Sequence, residues 1–426
     1  MAEFTAEVFQ NEFLSDGATD VHAIVSVTCA GAGEAGKTTD GDAAEIIIID
    51  TSGSMAGANI AEVRGAAAVA IDQIIDGTWF AIIAGTEKAT RVFPFPNASA
   101  PIVKMEPGAR AAAKSAVSAL DADGGTAIGS WLRMAGQLFD AAPRATQRHA
   151  LLLTDGENQH ETRRELESAI SAVQGRFQCD CRGVGANWVV AELRMIATAL
   201  LGTVDLIADP AQLAADFESI MRAAMSRGVA AAALRVWAPQ GAEVMFVRQV
   251  APAVEDLTAR RAELNPLTGA YPTGAWGDES RDYHVAIRLA AKQVGQEQLA
   301  ARVQLAVADQ VVAQGLVKAK WSDDEHLTTR INPEVAHYTG QAELAQVIQE
   351  GLAAKAAGDE ETATTKLGRA AKLAAETGNA EATAKLRKVV EIDDAETGTV
   401  RLRRDVHKLD EMALDTASTK TTRVKR

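Results

Sequence analysis

Asp50, Ser52 and Ser54 stand at alternate positions directly after a run of four isoleucines, Ile46 to Ile49. A carboxylate and two hydroxyls at that spacing can turn their oxygens toward one point, a donor set that suits a hard cation such as Mg²⁺. The elements that must hold them are legible on either side. Four β-branched residues in a row read as a short strand buried on both faces, the kind found in parallel sheets. The strand stops at Asp50, residues 51–54 make a polar turn, and an Ala-rich helical pattern follows over 58–75. In open α/β sheets the loop at the carboxyl end of a strand is where ligands bind.

Asp-x-Ser-x-Ser after a hydrophobic strand resembles the first element of the metal-ion-dependent adhesion site of von Willebrand factor type A domains. The resemblance calls for a Thr in a Gly-rich loop and then an Asp closing another buried strand. Asp123-Gly124-Gly125-Thr126 precedes a helical stretch, and Leu151-Leu152-Leu153-Thr154-Asp155-Gly156 ends a strand in an Asp-Gly turn, in that order. The resemblance therefore implies a complete site of Asp50, Ser52, Ser54, Thr126 and Asp155, with Mg²⁺ as the metal and Mn²⁺ or Ca²⁺ as substitutes. The serine hydroxyls, with Thr126 or one carboxylate, would bind directly, and the aspartates directly or through ordered water. Two carboxylates neutralise a dication, which leaves a position for the Asp or Glu of a partner. Without metal, Asp50 and Asp155 should repel each other and one pKa should rise. The competing account is that Ser52, Ser54 and Thr126 merely cap the helices that follow. Asp121 and Asp123 read as turn-shaping residues, with a role through water at the metal as the alternative; Glu157 and His160 border the site and read as solvated loop residues, with specificity residues as the alternative.

At 426 residues the chain is expected to hold two or three domains. Its 47% hydrophobic and 23% charged residues are ordinary for a globular protein. A formal net charge of −14 argues against a general binder of nucleic acid or of anionic membranes. The opening MAEFTAEVFQNEF lacks the basic start and apolar run of a secretory signal, and no segment has 18 unbroken apolar residues. Three cysteines, Cys29, Cys179 and Cys181, cannot form a disulfide framework; the last two share a strand face and read as buried thiols. A cytoplasmic location is the expectation.

Strand and helix patterns alternate over 44–228, which implies a doubly wound, mostly parallel sheet with helices on both faces, the expected type A domain. Residues 229–330 carry strands separated by Gly/Pro turns and read as a β-sandwich. Residues 1–43 hold strands at 4–30 and a Gly-rich linker at 31–43; an isolated hairpin is marginal, so these strands must pair with the later sandwich. The expected fold is thus an α/β domain inserted in a β-sandwich and followed by a C-terminal helical bundle at 333–412. Gly358 and Gly378 mark its helix joints, with Asp359 and Asn379 as caps. Residues 413–426, basic and Thr-rich, read as a disordered tail.

The functional expectation is a multi-domain bacterial scaffold or regulator that binds a partner's acidic side chain through the metal. A kinase or a phosphothreonine-reading domain is a possible partner, since Thr416, Thr419, Thr421 and Thr422 could accept phosphate. An alternative is a metal-dependent subunit of an ATP-driven remodelling or chelatase-like complex, partnered by a ring-forming AAA+ ATPase. A Mg²⁺-dependent phosphohydrolase is disfavoured: the second Asp such enzymes place two residues after the nucleophile is Ser52 here. There is no Walker A loop, no Gly-x-Ser-x-Gly elbow and no His/Cys set with zinc spacing, so catalysis is not expected.

Overall fold

The computed structural model describes residues 2–34 and 42–424. In chain order the elements are β1 (Glu3–Gln10), β2 (Phe13–Leu14), β3 (Asp20–Ala30), β4 (Asp42–Asp50), α1 (Ala58–Gln73), β5 (Trp79–Gly85), β6 (Ala89–Phe93), β7 (Val103–Lys104), α2 (Pro107–Ser118), α3 (Ile128–Asp140), β8 (Ala145–Thr154), α4 (Arg163–Val173), β9 (Gln178–Val184), α5 (Val190–Ala199), β10 (Val204–Ile207) and α6 (Leu213–Met225). There follow β11 (Val229–Trp237), β12 (Glu243–Ala251), β13 (Glu255–Asp256), β14 (Ala262–Asn265), β15 (Thr268–Trp276), β16 (Glu279–Arg288), β17 (Glu297–Val307), β18 (Gln310–Trp321), α7 (Glu325–Thr328), α8 (Pro333–Ala356), α9 (Glu360–Glu376), α10 (Ala380–Val389), β19 (Val390–Asp394), β20 (Thr399–Leu402) and α11 (Lys408–Ala417). The chain divides into two compact units, Gly31–Ala231 with Gly274–Asp278, and Glu3–Ala30 with Ala232–Thr273 and Glu279–Arg426. Of the linker read over 31–43, residues 35–41 lie outside the described residues.

The first unit is built on a seven-stranded sheet in the order β10-β9-β8-β4-β5-β6, with β7 also pairing with β5. β4 is parallel to both of its neighbours, β5 and β8, whereas β6 and β7 run antiparallel to β5. Ile46 to Ile49 are wholly buried, because helices cover both faces. Ile47 and Ile49 join Val63 and Ala67 of α1 and Phe217 and Met221 of α6 in one apolar cluster. On the other face α3 packs on β4, β5 and β8, burying Trp131 and Leu132. The unit also keeps Gly274–Asp278, beyond the stretch 44–228 read from the alternation. There Ala275 N donates to Gln178 Oε1 of β9 at 3.2 Å.

The same sheet buries a charged trio. Glu45 and His149 are register partners on β4 and β8. His149 Nδ1 lies 2.9 Å from both Glu45 oxygens, and its Nε2 lies 2.9 Å from Asp180 Oδ2 on β9. Burial pushes the imidazole down, but the two carboxylates outweigh it and hold His149 up to about 9. Burial alone would raise Asp180; His149, Arg227 and Arg182 hold it well below the usual carboxylate range.

The second unit holds a five-stranded sheet, β1-β3-β16-β12-β13, and a six-stranded one, β14-β15-β11-β17-β18-β2. β3 pairs with β16 from Asp20 opposite Arg288 to Cys29 opposite Glu279, so the N-terminal strands complete a sheet that they could not form alone. The two sheets meet face to face at Gly315 of β18, where a Cβ would come within 2.4 Å of Val8 of β1.

Three sequence expectations change in this unit. First, the sequence pattern places the first helix of the 333–412 region at Gln341 to Ala357, whereas α8 begins at Pro333 behind the Asn332 cap. Asn-Pro is a start signal, with Pro at the first helical position where its missing N–H costs nothing. Second, the region read as helical over 333–412 contains the β19–β20 hairpin. Val390, Glu391 and Ile392 are buried, exposed and half-buried in turn, the period-two signature of a strand, and Gly398 turns the chain with φ +76°. This region is also not a unit of its own, since Tyr338 of α8 packs on Ile24, Val250 and Ala251 of the five-stranded sheet.

Third, the described part of the stretch 413–426, residues 413–424, is docked rather than disordered. Thr416 is buried in α11. Val254 N donates to Thr419 O at 2.7 Å and Thr421 N to Pro252 O at 3.1 Å. Arg423 pairs at 3.0 Å with Asp282, a buried carboxylate that also accepts from Ser26 and Tyr338. A buried carboxylate requires a cation or several donors, and the tail supplies the cation.

Candidate functional site

Three loops at the carboxyl ends of β4, β5 and β8 and the loop between α2 and α3 are tied together by backbone bonds. Thr51 N donates to Gly85 O at 2.8 Å, Asp123 N to Thr51 O at 2.8 Å, and Gly53 N to Gly124 O at 2.9 Å. Ala127 N reaches Thr86 O at 3.1 Å, and His160 N reaches Thr126 O at 2.9 Å. Trp131 locks the arrangement from below: its Nε1 donates to Thr86 O at 2.7 Å and its ring lies where a Cβ on Gly85 would be. Each loop therefore has its position set by its neighbours rather than by its own sequence.

The five residues singled out from the sequence come together here. Asp50 is wholly buried at the end of β4, Ser52 and Ser54 follow in the turn, Thr126 precedes α3, and Asp155 follows β8. Asp50 Oδ1 accepts from Ser52 N at 2.8 Å. Ser52 Oγ and Ser54 Oγ lie 3.0 Å apart, and Ser54 Oγ donates to Asp155 Oδ1 at 2.6 Å. The space over Gly156 is ringed by Ser54 Oγ, Thr126 Oγ1 and Asp50 Oδ2, at 3.1, 3.4 and 3.9 Å from where a Cβ would stand. Oxygens from two separate loops thus surround one point on a third, and a glycine there leaves that point open.

The helix-capping account fails on these contacts. Ser52 makes no side-chain cap to the turn it precedes, and the residue capping α3 is Ala127. Thr126 Oγ1 has no hydrogen-bond partner among the described residues. The set contains no nitrogen or sulfur donor, and among the described residues no group of three or more His, Cys, Asp or Glu is arranged around a metal position. Two carboxylates and three hydroxyls are hard oxygen donors, which fits a small divalent cation. Cys179 and Cys181 are free and buried, their sulfurs 4.0 Å apart.

Burial pushes the Asp50 carboxyl up to about 6, against the bonds from Ser52 and Thr154, and the Asp155 charge adds to the rise. Repulsion between the two aspartates was the cause expected from the sequence; desolvation is the larger one.

Several supporting residues carried no sequence signal of their own. Thr154 Oγ1 donates to Asp50 Oδ2, and Asn59 Nδ2 donates to Asp155 Oδ2 at 2.8 Å. Thr154 sits beside Asp155 and could have been suspected; Asn59 lies in what reads as plain helix. Asn158 and Glu161 accept from the first amides of α3, Ile128 N at 2.9 Å and Gly129 N at 2.6 Å. His160 is not merely a solvated loop residue. Its ring covers Gly125, and its Nδ1 accepts from Thr126 N at 3.2 Å. Asp123 shapes the turn, as read from the sequence, by accepting from Gly124 N at 2.8 Å. The oxygens open into a cavity of about 330 Å³ lined also by Gly124, Glu157, Gln159 and Asn187.

A family model for the von Willebrand factor type A domain matches residues 44–206, and one for the von Willebrand factor type A C-terminal domain matches residues 372–418. Among curated proteins the chain is 30% identical over 218 residues to the uncharacterized protein sll0103 of Synechocystis, covering 50% of each. The chain thus spans about half the length of that relative. A solved structure, a von Willebrand factor type A protein from Catenulispora acidiphila, is 48% identical with a TM-score of 0.93, over 99% of this chain and 97% of that one. The fold is also similar to the ArnB paralog VWA2 from Sulfolobus acidocaldarius, at 14% identity and a TM-score of 0.59 over 98% of both chains. A domain model matched across the sheet that carries the site, and a relative alike over nearly the whole of both chains, lead to one conclusion: this chain belongs to the von Willebrand factor type A family.

Proposed function

We propose that the chain is a divalent-metal-dependent protein-interaction module, with a complete metal-ion-dependent adhesion site formed by Asp50, Ser52, Ser54, Thr126 and Asp155. The observation that carries this reading is the ring of oxygens over Gly156, joined through Ser54 to Asp155. When bound there, Mg²⁺ supplies a Lewis-acidic position that an outside oxygen ligand can complete. The chain's own residues do the rest. Asp50 and Asp155 balance the charge of a dication, so a partner's Asp or Glu is not repelled. Thr154 and Asn59 hold the two carboxylates in orientation, as outer partners do at metal sites. The β sheets and helices of the second unit offer further surface for a scaffold or regulator.

No catalytic role is part of this reading. Position 52 holds a serine where a phosphoryl-transfer site would need a second carboxylate. Among the described residues no helix is long and apolar enough to cross a membrane.

Titration calorimetry with Mg²⁺, Mn²⁺ and Ca²⁺, on wild type and on Asp155→Ala, tests the metal; one equivalent bound by wild type and none by the variant is expected. A pull-down from lysate with Mg²⁺ or EDTA tests the docking. A protein retained by wild type with Mg²⁺, and lost with EDTA or Asp155→Ala, is the expected result. The same proteins under all conditions, with the variant folded, would sink the reading.

A further inference from the structure

Acidic side chains gather at the mouth of the site. Glu157 lines the cavity, and its carboxylate has no hydrogen-bond or ion-pair partner among the described residues. Glu87 holds its Oε2 2.9 Å from Gly125 N, over the Gly124–Gly125 wall of the same cavity. Both side chains are exposed, as are Asp121 and Asp123 on the adjoining loop. Among the described residues no Lys or Arg lines the cavity. The nearby cations are spent or peripheral: Arg163 is paired with Glu167, Arg64 lies 4.0 Å from Asp121, and Lys88 follows Glu87 in the turn. His160, the remaining base, has its Nδ1 occupied by Thr126 N. Glu192 reports the same field: burial, joined by the charges of Glu157 and Glu161, holds its carboxyl above the usual range.

This surplus conflicts with a partner that is simply acidic. Once the dication is balanced by Asp50 and Asp155, an incoming carboxylate meets the like charges of Glu87 and Glu157. The attraction at the metal position is short-ranged, whereas the rim field acts over a Debye length, about 8 Å at physiological salt. A ligand satisfies both only if its carboxylate is flanked by cations. Rim charges of this kind set partner choice and encounter rate more than total affinity.

Resting on the metal-dependent docking proposed above, we propose that Glu87 and Glu157 form an acidic collar that selects, as the partner, an Asp or Glu flanked by Lys or Arg. The collar rejects acidic stretches, in which the same carboxylate would bring further negative charge. Glu87 and Glu157 are specificity residues; neither belongs to the metal set.

The test uses the full chain and short synthetic peptides that hold one central Glu flanked on both sides by Lys, by Ala or by Glu, each measured with Mg²⁺ and with EDTA. An exposed charge pair is worth up to about a factor of 5, so two collar positions predict roughly a 25-fold preference for Lys flanks over Glu flanks. Glu87→Gln/Glu157→Gln should remove most of that preference, and Glu87→Lys/Glu157→Lys should invert it. All of these variants are at exposed positions and keep the metal equivalence measured by calorimetry. Capture that needs Mg²⁺ and Asp155 yet ignores the flanks overturns the collar and leaves the docking reading intact. A Lys-flank preference that survives EDTA or Asp155→Ala is general attraction to a chain of net charge −14 and also overturns the collar. Absence of any Mg²⁺-dependent capture overturns the docking reading and the collar with it.

Discussion

A buried carboxylate beside three hydroxyls is poised between two states, and Asp50 shows the energy involved. A carboxyl whose folded pKa lies above its unfolded value binds its proton more tightly in the folded protein. The metal-free fold is therefore most favoured below pH 4, and that advantage is lost as pH rises through about 6. In EDTA, urea titrations from pH 4 to 7 should show wild type losing on the order of 3 kcal/mol relative to Asp50→Asn, and Mg²⁺ should restore it. His149 works in the opposite sense. Its folded pKa is raised, so its contribution is complete below about pH 6.5 and fades as pH rises through about 9. His149→Ala leaves Glu45 and Asp180 buried together. It should cost about 3–5 kcal/mol at pH 7 and abolish the alkaline fall, both read from denaturant midpoints.

At the scale of elements, close approach of backbones decides where side chains go. Gly368 of α9 faces the β19–β20 turn, and a Cβ there would come within 2.3 Å of Gly398 O. Because the obstacle is backbone, it cannot swing aside. Gly368→Ala should lift the hairpin off the helix and destabilise the second unit by about 1–3 kcal/mol, seen as faster amide exchange in residues 390–402 than in the β4–β8 core. The site loops follow the same rule. Asp50 and Asp155 are carried by different strands and Thr126 by the loop between α2 and α3, yet the bonds among residues 51, 85, 123 and 126 make one platform of them. The alternation of strands and helices in the sequence was enough to put the loops of Asp50 and Asp155 at the same edge of the sheet, because parallel crossovers leave all carboxyl ends on one side. The hairpin at 390–402 escaped notice because its strands are short and sit inside a run of good helix formers.

For the molecule as a whole, the C-terminus completes the second unit rather than trailing from it. Arg423 and Asp282, 141 positions apart in the chain, share an ion pair whose carboxylate is buried and whose guanidinium is exposed, and Gln341 donates to Thr422 Oγ1 at 3.0 Å. Deleting residues 418–426 leaves that carboxylate only the Ser26 and Tyr338 donors and uncovers the 250–254 edge. A loss of about 1–3 kcal/mol is expected, measured as a lowered melting temperature and early proteolysis within 243–256. The Mg²⁺ equivalence of the first unit should not change. The threonines read as phosphate acceptors are held as well: Thr416 is buried and Thr421 Oγ1 donates to Val250 O at 2.6 Å. Phosphate at either position requires the segment to come away first.

What the sequence by itself determined is the part governed by local physics. Period-two and period-3.6 patterns set most element boundaries, the isoleucine run set the central strand, and turn glycines marked the helix joints. Asp50, Ser52, Ser54 and Asp155 could be singled out because they follow strand ends, and Thr126 because it closes a Gly-Gly loop before a helix; both are local features. Only the tertiary structure decided what depends on distant partners. It brought Asn59 to Asp155, and it placed a charged trio across three strands. It placed Glu87 and Glu157 beside one cavity, and it made a basic tail the counterion of Asp282. The physical reason is common to all four. The free energy of a buried or clustered charge depends on what surrounds it in space, and a linear pattern carries hydrophobic period but not that surrounding.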